Sequence, residues 1–294
     1  GQIFMEKRRK IILLSLSIPA FLMIFIFMIV PLGNALRVSF FKWNGYSQKM
    51  NFIGWENYIS LFTDKVFWKS TFNTFIYGFG STLLQNIMGL SVAIFVNRKF
   101  RGRNLVRVIL YMPIMISGVI MGAIQYYIFN YENGVLNNLL NLFGISNIYW
   151  METGIQAVLI ITLINSWQTM GFCMLIYLAG LQNIPKIYKE AALLDGATKV
   201  QTFIKVDLPL LMPAITTAVI TNLIGGLKLY DIIVTLTNGG PNRKSLSLSY
   251  YISLLYFNDE KAGYSSAVGI ALFVIIFLVA VPINRYLRSR EVEY

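Results

Sequence analysis

Six long apolar runs, separated by polar segments, constrain this chain more than any other feature. They cover Ile11–Gly33, Thr71–Asn97, Leu105–Phe129, Gly154–Leu181, Leu208–Leu236 and Ser265–Leu287. A spanning helix needs about 20 mostly apolar residues, so each run predicts one. Composition agrees. Of the 294 residues, 56% are hydrophobic and 13% are charged, where a soluble domain averages about 25% charged. The expected fold class is an all-α integral membrane protein with six transmembrane helices. The first run is too long for the apolar region of a signal peptide. It ends in IVPLGNALRVSF without a small-residue cleavage site, so it reads as a retained helix.

Several chemistries find no residues here. The chain has no histidine, which removes the usual proton relay and metal ligand. Its single cysteine, Cys173, lies in an apolar run and supports no disulfide framework. No G-x-x-x-x-G-K-[ST] phosphate loop is present; GGPNRKS has neither the spacing nor a strand–helix setting. No array of intramembrane acids marks a proton pump. The net charge of +12 sits in short clusters beside apolar runs, which is the pattern of a topology signal and not of a nucleic-acid face.

Those clusters predict an orientation. With the N-terminus inside, inner segments carry Lys7, Arg8, Arg9 and Lys10, then Arg98, Lys99, Arg101, Arg103 and Arg107. Further along, they carry Lys186, Lys189, Lys199 and Lys205, and finally Arg285, Arg288 and Arg290. Outer segments hold half as many. The short NRKFRGRNLVR loop is the strongest single signal. Both termini are therefore expected in the cytoplasm.

Between the fourth and fifth runs lies YKEAALLDGATKVQTFIKVDLPL, Tyr188–Leu210, a charged stretch that still patterns as helix. Pro185 suits a first helical turn, and Ile187, Ala191 and Leu194 recur on one face. Gly196 breaks or bends the helix. Thr198 with Gln201 three residues on forms a capping-box pattern, and Val200, Phe203 and Ile204 supply a second apolar face. Pro209 and Pro213 mark the start of the fifth run. Two short amphipathic helices joined at a glycine are predicted on the cytoplasmic side. On physical grounds two readings stand: a connector lying on the bilayer, or a docking element for a partner protein.

The same residues carry a resemblance. Glu190, Ala191, Ala192, Gly196, Leu208 and Pro209 stand in the register of the EAA loop of ABC-importer permeases, with Val206 where isoleucine is usual. FKWNGYSQKMNFIGWENYISLF, NRKFRGRNLVRVILYMPIMISGVIMG, YLAGLQNIP and LTNGGP resemble the binding-protein-dependent sugar-permease branch, in particular the larger membrane subunit of maltose-type importers. The resemblance implies residues 1–69 as N-terminal tail, first helix and outer connector. It implies residues 70–294 as a five-helix permease core, with the EAA loop at 183–209. Its implied partners are a second homologous permease, two cytoplasmic ATPase subunits that bind ATP and Mg, and an extracellular or periplasmic solute-binding protein. No cofactor is expected in this chain, which is then not itself an enzyme. The setting is a bacterial cell membrane, with membrane lipid and a saccharide as the remaining contacts and no nucleic acid. The ATPase-coupling residues would be Glu190, Ala191, Ala192, Asp195, Gly196, Leu208 and Pro209.

Polar residues at membrane depth mark candidate pathways. The fourth run contains Asn165, Ser166, Trp167, Gln168 and Thr169; the fifth contains Asn222, Gly225, Gly226, Lys228, Tyr230 and Asp231. At a rise of about 1.5 Å per residue, Gln168 lies roughly 18 Å from Gly180 and Asn222 roughly 21 Å from Leu208. The two groups can share one layer. Amides suit sugar hydroxyls, and flat rings suit a sugar's C–H face, which singles out Trp167, Gln168, Phe172 and Asn222. Helix–helix hydrogen bonding is the competing account, and it suits Gln85–Asn86 in particular. The resemblance places Gln168, Thr169, Phe172, Asn222, Gly226 and Leu229 at sugar-lining positions, with Gly226 and Leu229 where the maltose-type subunit has amides. Lys228 and Asp231 are spaced to pair on one helix face, and Lys228, about 30 Å along from Leu208, can equally snorkel to the outer surface. The alternative is that Lys228 contacts substrate. The implied function is an ATP-driven importer subunit that moves a saccharide, most commonly an oligosaccharide in this branch, by alternating access. Import of a sugar phosphate or polyol, or a secondary transporter, are the alternatives.

Overall fold

The computed structural model describes Ser15 and residues 17–292. The basic residues Lys7–Lys10 and the start of the first predicted span lie outside the described residues. The chain divides into two compact units, one of residues up to Thr63 with Ile252–Ala271, the other of Asp64–Tyr251 with the residues from Leu272.

In the first unit, α1 (Ser17–Val38) is a 22-residue apolar helix, which continues five residues beyond the expected Gly33. Two short strands follow, β1 (Phe41–Lys42) and β2 (Asn51–Phe52), antiparallel with Phe41 opposite Phe52. Helix α2 (Glu56–Thr63) closes this connector. Asn57, nearly buried, donates from Nδ2 to the carbonyls of Ser39 at 2.7 Å and Phe41 at 3.1 Å. Phe40, Trp55 and Tyr58 cluster over it. This explains why the FIGWENY segment is ordered: its asparagine and aromatics fasten the chain that leaves α1.

The second unit is built on α3 (Lys65–Asn97) and α7 (Gly154–Asn183), which pack along much of their lengths. Asp64 caps α3, accepting from Val66 N at 2.8 Å, so this helix starts six residues before the expected Thr71. Gly89 of α3 lies against Cys173 of α7, leaving no room for a Cβ. Without a hydrophobic driving force in lipid, such small residues are what let membrane helices approach closely. The core there comprises Ala93, Val96, Cys173, Met174, Tyr177, Leu178 and Leu181, with Leu211 and Ala218.

Two expected spans are corrected. Residues Leu105–Phe129 do not form one helix. They form α4 (Arg103–Met115) and α5 (Gly118–Phe129), bent by 98°. Pro113 strains the last turn of α4, Ile116 is extended, and Ser117 caps α5 by accepting from Ile120 N. After α6 (Val135–Leu142), α7 and α8 (Lys186–Leu194), the fifth run also breaks. Its first three residues end α9 (Lys199–Leu210), and it continues after Leu211 as α10 (Met212–Leu227), bent by 67° from α9, because the Pro213 ring cannot follow the Pro209 carbonyl in a regular helix. Helix α10 ends at Leu227, not Leu236; a short helix α11 (Asp231–Leu236) follows after a three-residue break. Helices α12 (Leu248–Phe257) and α13 (Ala262–Arg288) complete the chain. Among the described residues, four helices are long and apolar enough to cross a membrane, or six spans if each bent pair counts as one. That six-span count matches the expectation; straightness does not.

Candidate functional site

A cavity of about 430 Å³ lies in the second unit, where Gly118 at the bend of the third span meets the break after α10. Of the expected pathway residues, Gln168, Lys228, Leu229 and Asp231 line it. Asn165, Gly225 and Tyr230 join them, and so do Gly118 and Ile232, which carried no polar signal in the sequence. The cavity exists because α10 stops early. Lys228 caps α10 with its N–H shared among the carbonyls of Ile224, Gly225 and Gly226. Tyr230 leaves helical geometry, and α11 begins at Asp231. The break is held from outside by Ser247, whose hydroxyl donates to the Leu229 carbonyl at 2.6 Å.

This overturns the expected pairing of Lys228 with Asp231 along one helix face. They sit on either side of a break, and no ion pair joins them. Lys228 is exposed to the cavity.

Gln168 serves the bend of the third span. Its Nε2 donates to the Ile116 carbonyl at 2.8 Å, the acceptor that the interrupted helix leaves free. Asn222 lies outside the cavity and is buried, with Nδ2 donating to Cys173 Sγ at 2.6 Å. Gly226 is a packing position: a Cβ there would meet the Tyr77 carbonyl and Ser81 Oγ at 2.8 Å. Thr169 returns its hydroxyl to the Asn165 carbonyl of its own helix. Trp167 is 44% exposed on the outer surface of α7, and Phe172 is half-buried.

A second site is the EAA stretch. Helix α8 ends in a Schellman motif: Ala197 N–H reaches the Ala192 carbonyl at 2.9 Å and Gly196 N–H the Leu193 carbonyl at 3.1 Å. That motif needs a left-handed residue, and Gly196 supplies φ of +79°. Thr198 and Gln201 form the expected capping box at the start of α9, with Thr198 N donating to Gln201 Oε1 at 2.8 Å. Lys189 Nζ lies 3.1 Å from Asp207 Oδ1. This is an ion pair without an aligned hydrogen bond, and it ties α8 to α9. Ile187, Leu193, Leu194, Val200 and Ile204 project from the pair, Leu194 at 89% exposure. Glu190, Ala191 and Asp195 are also exposed, Ala192 is half-buried, and Leu208 and Pro209 are half-buried in the last turn of α9.

Broken apolar spans around a polar cavity, with an ordered charged helix pair between two of them, define a polytopic membrane permease. Residues 85–291 match the family described as binding-protein-dependent transport system inner membrane component, and the chain belongs to that family. It is therefore a multi-pass permease subunit of an ABC importer. Its relatives include the trehalose/maltose transport system permease protein MalF of Thermococcus litoralis, 33% identical and covering 92% of this chain and 93% of its own. They also include the sulfoquinovosyl glycerol transport system permease protein SmoG of Agrobacterium fabrum, 32% identical and covering 96% and 92%. Among solved structures, a chain of a bacterial ABC transporter involved in the import of the acidic polysaccharide alginate superposes with a TM-score of 0.82, covering 98% and 99% at 24% identity. That likeness concerns the fold.

Proposed function

We propose that this chain is a transmembrane subunit of an ATP-driven importer that moves a saccharide, delivered by an extracellular binding protein, into the cytoplasm by alternating access. The observation that carries this reading is the α8–α9 pair. A connector lying on lipid needs only amphipathicity. This one has a Schellman turn, a capping box and an ion pair fixing its two arms, while Ile187, Leu193 and Leu194 stay exposed. A rigid element with an uncovered apolar face is suited to transmit a displacement. Its partner would be a cytoplasmic ATPase subunit that binds ATP and Mg. Ala191 and Ala192 keep α8 slim, and Glu190 is free to meet a basic group. Gly196, Asp195, Leu208 and Pro209 set the angle at which motion passes into α10. The second permease subunit and the binding protein complete the assembly, as a periplasmic protein does in the alginate importer.

The 430 Å³ cavity is the proposed passage. Lys228 and Asp231 bring opposite charges to one wall, so hydroxyl groups of a neutral sugar find both donors and acceptors. Gln168 and Asn165 add amides, Leu229 an apolar wall. Trp167, Thr169, Phe172, Asn222 and Gly226 would support the helices around it. Saccharide is favoured by the relatives' names, which specify sugars or their conjugates. In proteoliposomes holding the complete importer, uptake of labelled oligosaccharide should require internal ATP and the binding protein. Glu190→Lys should reduce both uptake and binding-protein-stimulated hydrolysis. Uptake that persists without ATP would identify a secondary transporter instead.

A further inference from the structure

The segment between α5 and α7 gathers aromatic rings that neither the cavity nor the helix pair uses. Tyr126 and Phe129 end α5, Tyr131 follows, and Tyr149 and Trp150 precede α7. With Leu236 they line a separate pocket of about 190 Å³, room for one pyranose ring. The Tyr131 and Tyr149 rings stack 3.6 Å apart and within 6° of parallel. Phe129 meets Trp150 edge-on at 5.9 Å.

One buried amide holds the Trp150 ring and the backbone on either side of the stacked tyrosines. Asn137, fully buried, accepts on Oδ1 from Trp150 Nε1 at 3.0 Å and from Ile148 N at 3.2 Å. Its Nδ2 donates to the carbonyls of Tyr131 at 3.0 Å and Ile148 at 3.1 Å. Asn147 donates to the same Tyr131 carbonyl at 2.8 Å. An interfacial belt of tyrosine and tryptophan needs only amphipathic rings at the right depth. It needs no hub fixing ring orientation. Tyr149 nonetheless leaves 57% of its surface exposed, so a flat ring stacked on Tyr131 is offered outward. Its phenol is held above the ordinary tyrosine value, first by a hydrogen bond with Tyr131, then by burial and by the nearby charges of Tyr131, Glu132 and Glu152.

The pocket and the cavity draw on the same two helices. Helix α5 contributes Gly118 to the cavity and Tyr126 and Phe129 to the aromatic pocket. These lie about 12–16 Å apart along the helix. Helix α11, packed against α5 through Gly122 and Thr235, does the same with Asp231 and Leu236. The two pockets lie at opposite ends of one helix pair, a span within reach of a short oligosaccharide. Between Asn130 and Thr153 there are two glutamates, Glu132 and Glu152, and no lysine or arginine. That charge disfavours an anionic ligand.

We propose that this pocket is a stacking subsite for one ring of a neutral saccharide, set at the outer end of α5 and feeding the cavity at its other end. The proposal rests on the saccharide-import reading. Its test uses the assembled importer in lipid nanodiscs, without ATP or binding protein. Maltotriose, cellotriose and mannotriose are titrated against trigalacturonate, and the signal is the part of tryptophan emission that Trp150→Phe removes. A saturable change is expected with at least one neutral trisaccharide. Half-saturation should rise about three- to tenfold in Tyr149→Ala, the range of one ring contact, and stay unchanged in Tyr149→Phe. Trigalacturonate should bind more weakly than the neutral sugars. Should Tyr149→Ala not assemble, Tyr149→Leu keeps the bulk, loses the flat face and carries the same expectation. No Trp150-dependent change with any of the three, an equal response in Tyr149→Ala or Tyr149→Leu, or equal binding of trigalacturonate would overturn the subsite. Uptake of binding-protein-delivered saccharide is measured in parallel. Normal uptake with a failed titration sinks the subsite alone, whereas no saccharide uptake sinks the importer reading beneath it.

Discussion

Gln168 and Lys228 line the same cavity and do opposite things there. Gln168 is 6% exposed and spends its amide N–H on the carbonyl that the third span frees at Ile116. Lys228 is exposed and joins no ion pair with Asp231. Substitution should separate them. Gln168→Leu strands a buried acceptor in an apolar setting, and should destabilise the permease by about 1–2 kcal/mol, read as a lower melting temperature in nanodiscs. Lys228→Gln should leave that temperature within the small range of exposed substitutions, about 0.5 kcal/mol, while slowing saccharide uptake. A Lys228→Gln importer with unchanged rate and substrate range would remove Lys228 from the passage. An unchanged melting temperature for Gln168→Leu would mean that water satisfies Ile116. Neither role was decidable from residue type. Both side chains read as polar groups at depth, and only the 98° bend shows which one has a backbone partner.

At the scale of elements, the α8–α9 pair was the most legible part of the molecule, because its signals are local. Pro185, Gly196, Thr198 and Gln201 act on their own backbone within a few residues; the structure has the glycine turn and the capping box where the spacing predicts them, and Pro185 one residue before the helix starts. Gly196→Ala should then cost about 1–2 kcal/mol through its left-handed φ. With nothing within 4 Å of a Cβ there, the penalty is backbone strain and not a clash. If α8 transmits the ATPase stroke, the saccharide imported per ATP hydrolysed should fall by up to about tenfold, with basal hydrolysis retained. An unchanged ratio would mean that the angle at Gly196 is not part of coupling. The spans were less legible for a physical reason. Hydropathy records how long a run stays apolar, not its direction. Pro113 with Ser117 mark one bend inside an uninterrupted apolar run, and Pro209 with Pro213 mark the other at the edge of one, where they read as a helix start. The Asn137 hub lay out of sight for another reason. Its partners are Tyr131, Ile148 and Trp150, up to 13 residues away, and a search for polar residues at membrane depth passes over an outer loop.

For the whole molecule the question is which side faces in. The excess of lysine and arginine on alternate segments is a statement about the assembled chain, since no single cluster fixes the orientation of six spans. Each Lys or Arg placed at a helix centre would cost about 2.5–3.5 kcal/mol, so the basic loops stay at the surface and the short ones bias which surface. The cluster from Arg98 to Arg107 and the one from Arg285 to Arg290 should both be cytoplasmic, and the aromatic loop around Ser146 should be outside. Cys173 is fully buried and should stay silent to a membrane-impermeant maleimide, so single cysteines can be read on the otherwise unaltered chain. In intact cells Ser146→Cys should label from outside, whereas Arg101→Cys and Ser289→Cys should label only after permeabilisation; all three positions are exposed. The reverse pattern would turn the α8–α9 pair outward, away from any ATPase. It would remove the coupling role and the saccharide subsite together, because both depend on the same sidedness.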